Sequence, residues 1–142
     1  MIQICWVLVT LAGAAWIAGA PMRVQNAKPS SEIYQDVYNG WKWWHVYCYR
    51  CHGQDALGAT LAPTLIDPKL RLTLPSFLRN VRNGNPEKGM QAWDKLLDDK
   101  QITQLYYYVT ARADKVLPPG RPDEVGPNGG RWVPPQGWPK VR

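Results

Sequence analysis

Apolar residues recur at helical spacing in three stretches of the chain. From Ser30 or Ser31, either of which can cap a helix, Ile33, Val37, Gly40 or Trp41, Trp44 and Cys48 follow one another on a single face. This predicts a first helix that delivers Cys48 at its end. The run from Pro75 to Gly84 predicts a short second helix, with Ser76 near its start and Gly84 just past its end. A third begins at a cap supplied by Asp98 or Asp99 and carries Ile102, Leu105, Tyr106, Val109 and Ala113 on one face, with Tyr108 on its flank. Between His52 and Pro75 the pattern breaks. Gly53, Gly58, Pro63 and Pro68 punctuate it, while Leu57, Leu61 and Leu65 keep it apolar, as in a loop wrapped around an apolar body. No stretch alternates convincingly as a strand does, so the expected class is all-α, with three main helices.

The two ends behave differently. Residues 1–20 hold no charged side chain and predict an export signal, cut after Ala20 or Gly19. An uncleaved anchor is the competing reading, because about twenty apolar residues can span a bilayer. Arg23 and Lys28 sit on the wrong flank for an anchor with an outward-facing body. A polar linker follows over 21–30, the domain over 31–114, and an extension over 115–142. From Leu117 onward prolines and glycines erase any period, which predicts irregular or extended chain. Trp132 and Trp138 would be costly to leave wet, so the extension either docks on the body or is a free linker.

Composition narrows the function. At 142 residues the chain has one-domain length, and its eight Trp and seven Tyr against one Phe supply large rings with polar edges, suited to cofactor walls and half-wet surfaces. The formal charge of +6 favours an acidic protein partner or an anionic membrane face. Nucleic acid is not expected: the positive residues are scattered among prolines and acids and form no stripe. Of three cysteines, Cys5 lies within the presumed signal, leaving one pair in the exported chain.

That pair forms Cys48-Tyr49-Arg50-Cys51-His52, the attachment pattern of c-type haem. Two residues between the thiols match the separation of neighbouring vinyl groups, and a histidine directly after the second cysteine is held beneath the iron as proximal ligand. A structural zinc site wants four ligands, normally in two separated pairs, and there is no second cysteine pair. A thioredoxin-like redox pair needs a βαβ surround. A disulfide over so short a loop is a poor staple.

The other axial position is found largely by elimination. Beyond the presumed signal only Met22 and Met90 carry thioethers; Met22 lies in the linker, and Met90 lies between the two later helices, behind Gly89, which allows close backbone approach to a ring. Core filling is the competing reading for Met90. His45 stands seven residues before His52, on the segment that already occupies the proximal side, and reads as a surface imidazole. Lys88 and Lys95 are poor resting ligands because their amines are protonated.

From Ile33 to Ala113 these motifs resemble the class I cytochromes c. The resemblance implies a cytochrome c fold around one covalent haem c, with Cys48 and Cys51 as attachment sites and His52 and Met90 as iron ligands. Gly40 resembles the family glycine where first and last helices cross, with Tyr107 or Tyr108 as aromatic partner. Ala62-Pro63-Thr64-Leu65 resembles the loop whose proline carbonyl receives the proximal imidazole proton. Gly89-Met90-Gln91-Ala92-Trp93 is similar to the family's methionine loop, with a glutamine in place of the common proline. Gly40, Pro63, Leu65, Trp93 and Tyr108 are thus implied to surround the haem. The segment Gly40–Tyr47 is similar to that of small cytochromes serving periplasmic quinoprotein alcohol dehydrogenases, including those of methanol metabolism.

These residues predict a periplasmic single-electron carrier rather than an enzyme. Its donor would be a dehydrogenase and its acceptor a terminal oxidase or another cytochrome, with membrane contact only through the N-terminal segment. Two alternatives stand beside it: a sensor or peroxidase-like enzyme with an open iron site, or a haem subunit of a membrane respiratory complex. Trp43 and Tyr47, off the buried line of the first helix, either meet a partner or the tail, or are packed by the protein's own loops.

Overall fold

The computed structural model describes residues 28–139. The expected export signal and most of the linker lie outside the described residues. Four α-helices carry the fold: α1 (Ser30–Trp43), the single-turn α2 (Tyr49–His52), α3 (Leu74–Asn83) and α4 (Asp99–Ala113). The described residues contain no strand, only an isolated antiparallel bridge between Asn85 and Met90. The three main helices are the three the apolar spacing predicts.

Their starts differ in detail from the sequence expectation. No side chain caps α1; Ser30 and Ser31 already lie inside it, and the Pro29 carbonyl accepts the Glu32 and Ile33 amides at 3.0 Å each. At α3 the cap is Thr73, three residues ahead of Ser76. The two exchange bonds in a reciprocal capping box, with Pro75 in the first turn where its missing N–H costs nothing. Asp98 caps α4, paired the same way with Gln101. Phe77 and Val81, one turn apart, form the buried stripe of α3.

The crossing of α1 and α4 forms the centre. A Cβ placed on Gly40 would lie 2.0 Å from the Gln104 carbonyl oxygen and 3.0 Å from Tyr108 Cβ, so only glycine lets the two backbones approach this closely. Val37, Ile102, Leu105 and Val109 are fully buried around it. Tyr108, expected on a flank, is also fully buried. The reason is that α4 is covered by α1, by α3 and by the chain beyond its own end, so more than one stripe of it is inside.

The C-terminal extension is irregular and docked. Trp132 and Trp138 are buried edge to face against each other, 5.8 Å between centroids; their indole N–H groups donate to the Val116 carbonyl and the Asp114 carboxylate. Arg131 lies over Tyr34 and Arg121 over Trp41, which fastens the extension to the outer face of α1. Trp43 and Tyr47 are packed by the protein itself: Trp43 donates to Gln104, and Tyr47 meets Trp93 edge-on.

Candidate functional site

The segment carrying the cysteines is not a continuation of α1. Over Trp44–Cys48 the helix widens to a π-turn before α2 resumes at Tyr49. Such a turn absorbs an extra residue and re-aims the side chains beyond it, and it occurs mostly at functional sites. Cys48 is half-buried and Cys51 exposed, and both thiols are free. Burial pushes the Cys48 thiol up to about 12, reinforced by Cys51. Its surroundings therefore favour an uncharged sulfur, either thiol or thioether.

His52 ends α2 with its imidazole fixed from two sides. Nδ1 lies 3.1 Å from the Pro63 carbonyl oxygen. A carbonyl only accepts, so Nδ1 carries the proton and Nε2 keeps its lone pair for a metal. On the other side Trp44, fully buried, lies 6.0 Å from His52 and 5.8 Å from Tyr108, ring centre to ring centre. The Trp44 indole also donates to the Gly53 carbonyl at 3.1 Å, tying the chain just past His52 back to the π-turn.

The loop after His52 is held by backbone bonds. Gly58 donates to the His52 carbonyl at 2.8 Å, and the Ala56 carbonyl accepts from the Leu65 amide at 3.0 Å and the Thr64 hydroxyl at 3.2 Å. Leu65 is half-buried there. Met90 sits in the second loop, which the paired bonds between Asn85 and Met90 close at 2.7 and 3.0 Å. Gly89, with φ of +78°, turns the chain into it. The Trp93 amide donates to Val81 and Arg82 carbonyls at the end of α3, while its ring rests on Tyr47, one residue ahead of Cys48. The structure thus brings Cys48, Cys51, His52 and Pro63 into one unit, ties the Met90 loop to it through Trp93, and reaches Gly40 and Tyr108 through Trp44.

His45 is exposed, with Nδ1 2.8 Å from the Trp41 carbonyl of its own helix. Arg50, Lys88 and Lys95 are exposed as well. A cleft of about 450 Å³ bordered by Leu65, Asp67, Arg71, Leu72 and Thr110 has neither cysteine, nor His52, nor Met90 on its walls, so it is not where the motif points.

The residues fit a covalent haem on three counts: two free thiols at vinyl spacing in one short segment, an imidazole whose outer nitrogen is fixed as donor, and an apolar border. Leu57 and Leu61, on the loop that holds His52, are 56% and 73% exposed. A large apolar ring against them would remove that surface from water. Sequence reading missed two residues here. Trp44 falls on the buried helix face by spacing, but its contact with His52 has no signal in the sequence. Asp55 does not stand out in the sequence either, yet only 3% of the residue is exposed.

The sequence profile of cytochrome c oxidase, cbb3-type, subunit III, matches residues 35–109, more than half of the 142-residue chain. Among solved structures, the c-type cytochrome XoxG from Methylobacterium extorquens AM1 is similar with a TM-score of 0.56 at 32% identity, over 61% of this chain and 56% of that one. The chain therefore spans little more than half the length of that cytochrome. No curated protein matches.

Proposed function

We propose a function for a chain that belongs to the family of the cbb3-type subunit III cytochrome c domain, a class I c-type cytochrome carrying covalently bound haem c and transferring electrons: it is a periplasmic shuttle between a dehydrogenase and an oxidase or second cytochrome. Cys48 and Cys51 would hold the haem through thioethers, and His52 and Met90 would ligate its iron. When bound, the haem supplies a reversible one-electron change at iron. The Pro63 carbonyl keeps the His52 proton on Nδ1, which raises the donor strength of Nε2. With Met90 as a second protein ligand the iron would have no open site for substrate, and the chain would carry electrons rather than transform a substrate. The bond from His52 to Pro63 within the Cys48–His52 unit is the observation that carries this reading.

The donor is proposed from the Gly40–Tyr47 segment, which is similar to that of cytochromes serving quinoprotein alcohol or methanol dehydrogenases. Stepwise mixing of the oxidised protein with purified dehydrogenases tests this. A quinoprotein alcohol dehydrogenase should reduce it at a rate that falls with added salt, as a basic carrier facing an acidic donor requires. Reduction only by dehydrogenases of other classes would reject the assignment.

The family match favours one second reading, a haem subunit of a membrane respiratory complex. No helix among the described residues is long and apolar enough to cross a membrane. Under that reading the full chain would co-sediment with membranes and exchange electrons poorly once released.

A further inference from the structure

The buried carboxylate of Asp55 lies where three separate parts of the chain meet. It accepts the Gly120 amide at 3.0 Å, receives the Tyr108 hydroxyl at 3.4 Å, and pairs with the Arg112 guanidinium at 3.8 Å. Arg112 also donates to the backbone carbonyls of Asp55 and Leu117. Asp55 and Ala56 both adopt left-handed backbone, with φ of +57° and +61°. Two consecutive non-glycine residues in that region are strained and persist only where the surroundings over-determine them. The clamp on Asp55 is that constraint, and the Ala56 carbonyl is what it aims: it accepts Leu65 N–H and Thr64 Oγ–H, fixing the two residues that directly follow Pro63.

We propose that Asp55 is a positioning residue for the proximal histidine, anchoring the loop to α4 and to the C-terminal extension so that the Pro63 carbonyl stays on Nδ1 of His52. The extension is therefore part of the redox site's support, through Gly120 and Leu117, although it lies more than sixty residues away in sequence. The inference rests on the reading of His52 as iron ligand. Nothing in the loop between His52 and Pro63 contributes another buried side-chain charge, so the clamp has no substitute within that loop.

The test uses the full-length haem protein and follows hydrogen exchange of the His52 Nδ1 proton by NMR in the reduced state, together with the midpoint potential. Asp55→Ala should speed exchange by roughly tenfold or more, because a loop freed of its clamp opens more often, and should raise the potential because a less firmly bonded imidazole is a weaker donor to ferric iron. Asp55→Asn keeps an acceptor for Gly120 and should retain most of the protection. Unchanged exchange in Asp55→Ala overturns the proposal. So does an Asn variant that raises the potential as far as the Ala variant with exchange unaltered in both, since the carboxylate then acts through charge alone. If Asp55→Ala fails to fold, Thr64→Val removes the Thr64 bond to Ala56, together with the one its hydroxyl accepts from the Ile66 amide, while leaving the Leu65 bond in place; it should move exchange in the same direction by less, and no movement overturns the proposal. A wild-type His52 proton without the shift that a haem ring imposes would instead remove the ligand reading on which the inference stands.

Discussion

The helical half of the molecule and its loop half dispose of apolar surface in opposite ways. Around the α1/α4 crossing, Val37, Trp44, Ile102, Tyr108 and Val109 are essentially without solvent contact, and the extension seals the outside with Trp132 and Trp138. In the loops, Leu57, Leu61, Leu70 and Leu96 remain 44–73% exposed. The first half is held by packing. The second is held by a few directed bonds: Trp44 to Gly53 and Asp55 to Gly120 tie it to the first helix and the extension, while Thr64 to Ala56 and His52 to Pro63 brace it internally. The difference shows a division of labour: the helices make a body that is complete in itself, and the loops make a shaped apolar border that a covalent haem completes.

The most direct way to break that contrast is to remove the attachment. With Cys48→Ser and Cys51→Ser together, the purified product should have the mass of bare polypeptide and no colour. Amides of the loops should lose hydrogen-exchange protection far more than those of α1 and α4. Equal loss in both halves would show that the helices also depend on the haem.

Met90→Ala comes next in size. Covalent haem should remain, the absorption band near the red end that marks sulfur on iron should vanish, and the potential should fall. An unchanged spectrum would return Met90 to the role of core filler, and a wild type that lacks the band would reopen the sensor or peroxidase alternative.

How much of this was legible in the sequence depends on how local each feature is. The attachment motif is five consecutive residues whose order is the chemistry, and the three helices announce themselves by period. The crossing glycine is reached only through family resemblance, since its partner, the Gln104 carbonyl, lies sixty-four positions on. The π-turn has no spacing signal, because Trp44 and Cys48 at its two ends are four positions apart, as in an ordinary helical turn. The Asp55 clamp joins residues 55, 108, 112 and 120, which no periodicity connects; an aspartate close after a glycine in a loop reads as an ordinary turn residue. The tryptophans of the extension signalled that burial was needed, but not that it would occur against each other and the end of α4.

Trp132→Ala sharpens the comparison from the packed side. Losing a buried indole and its bond to Val116 should cost about 3–5 kcal/mol. Urea unfolding of the haem protein measures it. The spectrum of the folded state should stay that of the wild type, because Gly120, the residue that reaches Asp55, lies upstream of the lost ring. A cost below about 1 kcal/mol would mean that the extension covers the body without holding it.

The smallest effect expected is the one that separates packing from polar clamping at a single residue. Burial raises the Tyr108 phenol well above the ordinary tyrosine value of about 10, and the Asp55 carboxylate raises it further while Arg112 opposes. Raised in the folded state, the phenol keeps its proton above pH 10 where the unfolded chain has lost it, so protonation linkage removes stability as pH climbs through that range. Tyr108→Phe keeps the ring against Trp44 and deletes the titrating group. At pH 8 the variant should melt slightly below wild type, because the long 3.4 Å bond to Asp55 is gone; near pH 11 the gap should close or reverse. Parallel melting curves across that interval would mean that Tyr108 titrates freely and that its hydroxyl is no part of the clamp.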